Sequence, residues 1–408
     1  MGSDGTTIIG KRRMSAIIEV PGPGANVAFE RKQRGWNQDR LAAEAGVSKS
    51  LLGKIERGER PMTQGVAAAL ARALGMTLDE LLGHAPVEVD DESRLRALNQ
   101  AIRRFDLPRE PEMTEAELRA GLAELVALRG KADLRAVLGA LPRLVSAATN
   151  YAHANGTPEA WARVAEAYSS VYWLAARHRW MTLADLAVTK QKLAAQHADP
   201  VTLAIAARDE AGVHLNHGDF EDGLAIVDRG LVQVEQSAPT GPDRSYALGI
   251  LHLRGLTLAG RLRDRRTADQ HIAKAWAVSQ DFDRDVLRLG IHFGPQNTAV
   301  HVVATSGDLG RHEDAIDLMA DIERERGEGK FWLPATRTSP LHMNAARSKL
   351  ALDDREGALE ELEKAWALAP QMANVHPTAQ ELLRVLTSLH KRSNPRLTRL
   401  AKKAKIQF

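Results

Sequence analysis

Residues 37–60, NQDRLAAEAGVSKSLLGKIERGER, constrain the fold more than any other stretch. Leu41, Ala45 and Val47 are apolar, then Leu51, Leu52 and Ile55, and residues 38–45 have helical spacing. Gly46 permits a left-handed turn that a residue with a Cβ resists. Ser48 is an N-cap candidate for a second helix ending near position 56. The pattern predicts two short helices joined by a tight glycine turn.

Ala42, Gly46, Val47, Ile55, Glu56 and Gly58 fall where the Cro/phage-repressor (XRE) family of helix-turn-helix domains has small, turn or core residues. Gln38 with Leu41 and Ala42, the phrase IERGER, and Val66, Leu70, Leu74, Gly75 and MTLDELL are similar too. Over residues 27–82 the chain resembles that family. The resemblance implies a five-helix lambda-repressor-like domain whose second helix of the motif enters the major groove of double-stranded DNA. It implies base contacts at Lys49, Ser50 and Lys54, with Ser48 beside them, and phosphate contacts at Gln38 and Arg57. Gly53 would leave a gap on the groove side. Helices are expected at 24–34, 38–45, 48–57, 63–74 and 77–82. In the first, Val27 and Phe29 face inward, and Arg31, Lys32 and Arg34 stay outside, within reach of phosphates.

The chain has 408 residues, enough for two or three domains. It has no cysteine, which excludes disulfides and thiol nucleophiles and suits a reducing cytoplasm. No apolar run approaches the ~18 residues of a membrane helix. The basic residues Lys11, Arg12 and Arg13 are followed by no apolar region, so no signal peptide and no membrane partner are expected. Charge is uneven. Residues 1–83 hold 12 Lys/Arg against 9 Asp/Glu, and 382–408 hold 8 against none, which leaves the middle at −8 within a net +3. A mildly basic head on an acidic body fits a protein that meets DNA with one end.

The expected organisation is a mobile arm (1–22), the DNA-binding domain (23–83), an acidic linker (84–92) and a helical sensor and dimerisation domain (93–408). The fold class is all-α: the five-helix head followed by a tetratricopeptide-like α-solenoid. Ala346, Ala358, Ala365 and Pro370 keep the small-residue spacing of a tetratricopeptide repeat, and 211–230 is a weaker copy. Residues 245–280 and 297–325 read as degenerate copies, and 93–150 as a helical connector or cap. Everything after Ser93 reads as helix. Gly294-Pro295 marks a helix start, and the tail after Pro395 is a short basic helix. Trp161, Trp173, Trp180, Trp276, Trp332 and Trp366 are expected to pack between repeats.

No phosphate loop, dinucleotide fingerprint, zinc-protease helix or nucleophile elbow is present, so no catalytic residues, no cofactor and no enzyme are expected. His214 and His217 could share a metal but lack a third ligand in sequence, so no metal site is expected. The whole chain resembles actinobacterial-type regulators of this architecture and, more distantly, the peptide-pheromone receptors that pair the same two modules. That resemblance implies a homodimer on an inverted-repeat operator, with a peptide or small-molecule effector in the concave groove. Candidate ligand residues are Arg254, Asn297, His301 and Asn344, on first helices of adjacent repeats. The alternative is a DNA-tethered scaffold whose repeats hold a partner protein.

Overall fold

The computed structural model describes residues 22–82, 89–237, 240–390 and 394–404. The head comprises α1 (Pro23–Gln33), α2 (Gln38–Glu44), α3 (Lys49–Glu56), α4 (Gln64–Leu74) and α5 (Leu78–Leu82). Side chains start three of these helices. Asn37 accepts from the Arg40 amide, Ser48 from Leu51 and Thr63 from Val66. Such caps satisfy amides that have no partner within the helix, at ~1 kcal/mol each. Gly46, at φ +63°, makes the turn between α2 and α3. Val27, Leu41, Leu52, Ile55, Leu70 and Leu81 form the head's core.

Two expectations for α1 fail for one geometric reason. Its buried positions are Pro23, Val27 and Arg31, spaced four apart. Phe29 lies on the opposite side and is 56% exposed. Arg31, expected outside, shares the face of Val27 and is buried against Glu56.

The body begins with α6 (Val89–Arg103), α7 (Glu115–Gly130) and α8 (Leu134–Asn155). Helical hairpins follow: α9 (Pro158–His178) with α10 (Met181–Ala195), α11 (Pro200–His217) with α12 (Phe220–Ser237), and α13 (Gly241–Leu262) with α14 (Arg265–Ser279). Next come α15 (Pro295–Asp308) with α16 (His312–Gly327) and α17 (Ala335–Ala351) with α18 (Arg355–Leu368). The chain closes with α19 (Pro370–Val375), α20 (Pro377–Leu389) and α21 (Pro395–Lys403). First helices of successive hairpins pack on one another, α9 on α11, α11 on α13, α13 on α15 and α15 on α17, which makes the body an α-solenoid. The fold is all-α in two parts, as the sequence patterns indicate.

Three details depart from expectation. The acidic residues at 89–92 belong to α6 rather than to a linker; 83–88 and the arm at 1–21 lie outside the described residues. Between α14 and α15 stands an antiparallel hairpin, β1 (Val286–Arg288) with β2 (Ile291–Phe293). Its Phe293 is fully buried, packed where Gly249 leaves no side chain. Trp332 is 66% exposed, because it precedes α17 in a non-helical segment instead of lying between repeats. Among the described residues no helix is long and apolar enough to cross a membrane. No group of side chains among them could hold a metal ion, and His217 lies 3.0 Å from Asp185.

Candidate functional site

Two surfaces gather the candidate side chains. The first is the outer face of α3. Burial of Leu52 and Ile55 leaves Lys49, Ser50, Lys54 and Arg57 exposed. Lys49 pairs with Asp39 at 2.8 Å and Arg57 with Glu59 at 2.7 Å, all four side chains more than two-fifths exposed. Exposed pairs are worth little and readily give way to phosphate. Gln38 donates to Glu56 at 2.8 Å, and Arg31 grips the same carboxylate through two bonds of 2.6 and 2.8 Å. Burial opposes the Glu56 charge, but the bonds from Arg31 and Gln38 outweigh it and hold its carboxyl below the usual range. Gly53 is not a groove-side gap. It is buried, and an added Cβ would lie 3.2 Å from the Arg57 guanidinium and 3.7 Å from the Gln38 amide. Its lack of a side chain lets Gln38 and Arg57 lie across α3.

The second surface is a cavity of about 300 Å³ inside the solenoid. Six arginines line it, Arg129, Arg177, Arg179, Arg208, Arg254 and Arg337, against one carboxylate, Asp209. Of the expected ligand residues, Arg254, Asn297 and His301 meet in this cavity. Asn344 is not on its wall and donates to Pro340 within its own helix at 2.9 Å. Asn297 is 2% exposed and bridges two elements: its amide donates to the His292 carbonyl at 2.7 Å and its oxygen accepts from Arg337 at 2.8 Å. Asn297 does not cap its own helix. The Asp285 carboxylate does so, accepting from the Gln296 and Asn297 amides at 2.8 Å each.

His301 has a defined tautomer. Arg337 donates to its Nε2 at 2.7 Å, so Nδ1 carries the proton and points to Thr257 Oγ1 at 3.3 Å. That hydroxyl in turn donates to the Leu253 carbonyl. Burial and then Arg337 drive the His301 pKa well below its ordinary value, so the ring is neutral. His292 and His376 are pushed to about 4 for the same two reasons, burial first and neighbouring arginines second. The cavity's positive charge is therefore the arginines' alone.

Arg129, Arg177, Arg179, Arg208 and Arg337 escape sequence reasoning, and Trp173, expected to pack between repeats, stands on the cavity wall. A signal does exist for Arg129. Leu118, Leu122 and Leu125 form the buried stripe of α7, and Arg129 continues it at the next position. An arginine on an apolar stripe marks an interior polar site.

The cavity touches the head. Gln64 of α4 lines it, and Arg179 on its wall pairs with Asp79 of α5. The docking is close. A Cβ on Gly65 would sit 2.4 Å from the Arg261 carbonyl, and the Met62 amide donates to Glu381 at 2.5 Å. A second cleft of about 740 Å³ separates Ser48, Leu51 and Lys54 from Arg263, Arg265 and Arg355 of the body.

Residues 28–81 match the family model described as Helix-turn-helix. With the geometry of α2 and α3, this match defines the class of the head: a helix-turn-helix domain of DNA-binding type, carried on a helical solenoid. No curated protein matches the chain. Among solved structures it is similar to the PrgX/iCF10 complex, at 11% identity over 85% of this chain and 96% of that one, TM-score 0.33. It is also similar to PrgX, at 11% identity over 94% and 98%, TM-score 0.27. ComR from Streptococcus suis is 14% identical over 88% and 92%, TM-score 0.26.

Proposed function

We propose that the protein is a cytoplasmic, sequence-specific transcriptional regulator that binds an inverted repeat as a homodimer held through residues 93–408, and that its cavity receives an effector. Lys49, Ser50 and Lys54 read base edges, and Gln38 and Arg57 hold phosphates. One head offers too small a surface for operator-grade affinity, since a single module buries roughly 600–1,000 Å². Pairing two heads by two-fold symmetry supplies the rest.

The observation that carries the sensor reading is the arginine-lined cavity, whose wall includes residues bound to the head. Arg177 faces the cavity and Arg179, two residues on, pairs with Asp79. An occupant that draws on this wall changes how firmly the head is docked, and with it the pose of α3. A rigid scaffold needs no such interior.

The DNA-binding reading predicts that Lys49→Ala relaxes base preference by roughly 1–3 kcal/mol at one position. Arg57→Ala instead weakens all sequences alike and lowers the salt slope by about one. Selection of bound sites, followed by titration of specific and random duplex at fixed salt, checks both. Equal losses for the two variants on both duplexes would remove the assignment.

A further inference from the structure

Resting on the sensor reading above, we infer that the cavity binds a compact small molecule bearing two or more oxyanion groups, phosphate or carboxylate. The argument begins with how the wall's arginines are satisfied. Arg208 has Asp209 and Arg179 has Asp79. The other four bond only neutral acceptors among the described residues. Arg129 donates to Ser170 and the Gly290 carbonyl, Arg177 to the Trp173 carbonyl and Arg254 to the Arg208 carbonyl. Arg337 donates to Asn297 and His301. Each thus spends one or two of the five N–H groups a guanidinium carries. Among the described residues the Nε of Arg129 and of Arg177 are buried without an acceptor, as are those of Arg261 and Arg347, so the difference lies in the missing carboxylate.

Elsewhere in the body, buried arginines meet carboxylates. Arg261 and Arg347 share Asp308 at 2.6 and 2.7 Å. The four cavity arginines are buried beside like charges, Arg208 foremost among them, and Asp209 offsets this only in part at Arg129 and Arg254. Burial first, and then neighbouring arginines, lower Arg177 well below its ordinary value. Arg337 falls to about 10 by burial and then by Arg208, and Arg129 also falls to about 10, by burial above all. Two further carboxylates, Glu166 and Asp285, act on this cluster, but burial raises both, and Asp285 spends its oxygens on backbone amides.

The cluster is held in place without being neutralised. Arg177 lies 3.9 Å from the Trp173 ring centre, and a cation over that ring is fixed in orientation. Gly290, at φ +75°, exists where a Cβ would sit 2.3 Å from the Arg129 guanidinium. Planar forks in fixed positions bind carboxylate or phosphate through paired bonds. A peptide's single terminal carboxylate would engage one fork and leave the others unmatched. The cavity volume is at the small end of the ~300–1,000 Å³ usual for ligand pockets, which favours a compact molecule over an extended chain.

The test is titration calorimetry and thermal denaturation of the full-length protein at constant ionic strength. The probes are pyrophosphate, citrate, inorganic phosphate and an uncharged capped tripeptide. Pyrophosphate or citrate is expected to bind one per chain and raise Tm, with inorganic phosphate about 10-fold weaker or more. Which of the two wins separates a phosphorylated from a polycarboxylate ligand. Arg177→Gln keeps a donor to the Trp173 carbonyl, and it should weaken that binding roughly 30-fold or more. It should also leave the probe-free Tm equal or higher, because it removes a buried charge from among like charges. A merely structural arginine would lose Tm instead, so a large drop in Tm with unchanged binding overturns the inference; Arg254→Gln gives the same two readouts independently. Loss of binding in a Lys49→Gln, Arg57→Gln double variant would place the anion on the DNA surface and overturn it too. If only the tripeptide binds, the ligand class is wrong and the sensor reading stands. If no probe binds and culture extract leaves DNA affinity unchanged, both fall.

Discussion

Two groups of buried arginines, one at Asp308 and one in the cavity, differ in a way that separates architecture from function. At Asp308, one carboxylate from α15 joins Arg261 of α13 to Arg347 of α17. Three consecutive first helices are thereby tied together, and the Asp308 side chain is only 3% exposed. In the cavity, Arg129, Arg177, Arg254 and Arg337 converge on one space with no such partner. Taking a charge out of water costs several kcal/mol unless a counter-charge repays it. The four cavity arginines have no carboxylate ion pair among the described residues, so the first group ties the solenoid together and the second is the one we propose meets a ligand.

Substitutions break or sharpen this contrast. The largest effect is expected from Asp308→Ala, which strands two buried guanidinium groups and should cost about 3–5 kcal/mol, read by chemical denaturation. Loss of less than about 1 kcal/mol would make the two groups equivalent and remove the distinction. Next comes Gly65→Ala at the junction between head and body. Its Cβ would meet the Arg261 carbonyl, a backbone atom that cannot rotate away. The head should loosen by about 2 kcal/mol, seen as faster hydrogen exchange at the Met62 amide with the solenoid's core unchanged.

A pH-dependent test concerns Glu381, which burial pushes up to about 8 while it accepts the Met62 amide. A carboxyl raised on docking holds its proton more tightly when docked than when free. The docked state is therefore favoured fully below the ordinary carboxyl range near pH 4.5. It loses up to about 1.4 kcal/mol per pH unit as pH rises toward 8. Glu381→Gln keeps an acceptor for Met62 and cannot ionise, so Tm should flatten between pH 5 and 8. A slope unchanged from the parent chain would assign the pH dependence to another group.

The head was legible because its signals are local. Gly46, the Ser48 cap and the spacing of Leu41, Leu52 and Ile55 each act within one turn or one helix, and all three stand as expected. The hairpin at 286–293 was not legible, since strands of three residues carry no usable alternation. Phe29 and Arg31 show the limit within a single helix. Composition favours Phe inside and Arg outside, but the helix has one inward face, and Arg31 is on it because Glu56 waits there.

By itself, then, the sequence determined the all-α class, the helix-turn-helix head and the succession of helical hairpins, since these follow from periodicities and caps over a few residues. Arg254, Asn297 and His301 could be named as candidates from helix position alone, while Asn344, chosen by the same rule, points elsewhere. Only the tertiary structure gathered arginines from α7, α9, α11, α13 and α17 around one space and set that space against the head. These residues are spread between positions 129 and 337, and nothing local distinguishes one buried arginine from another. Whether its charge is matched depends on the angle at which other helices cross it, and that angle is fixed by packing.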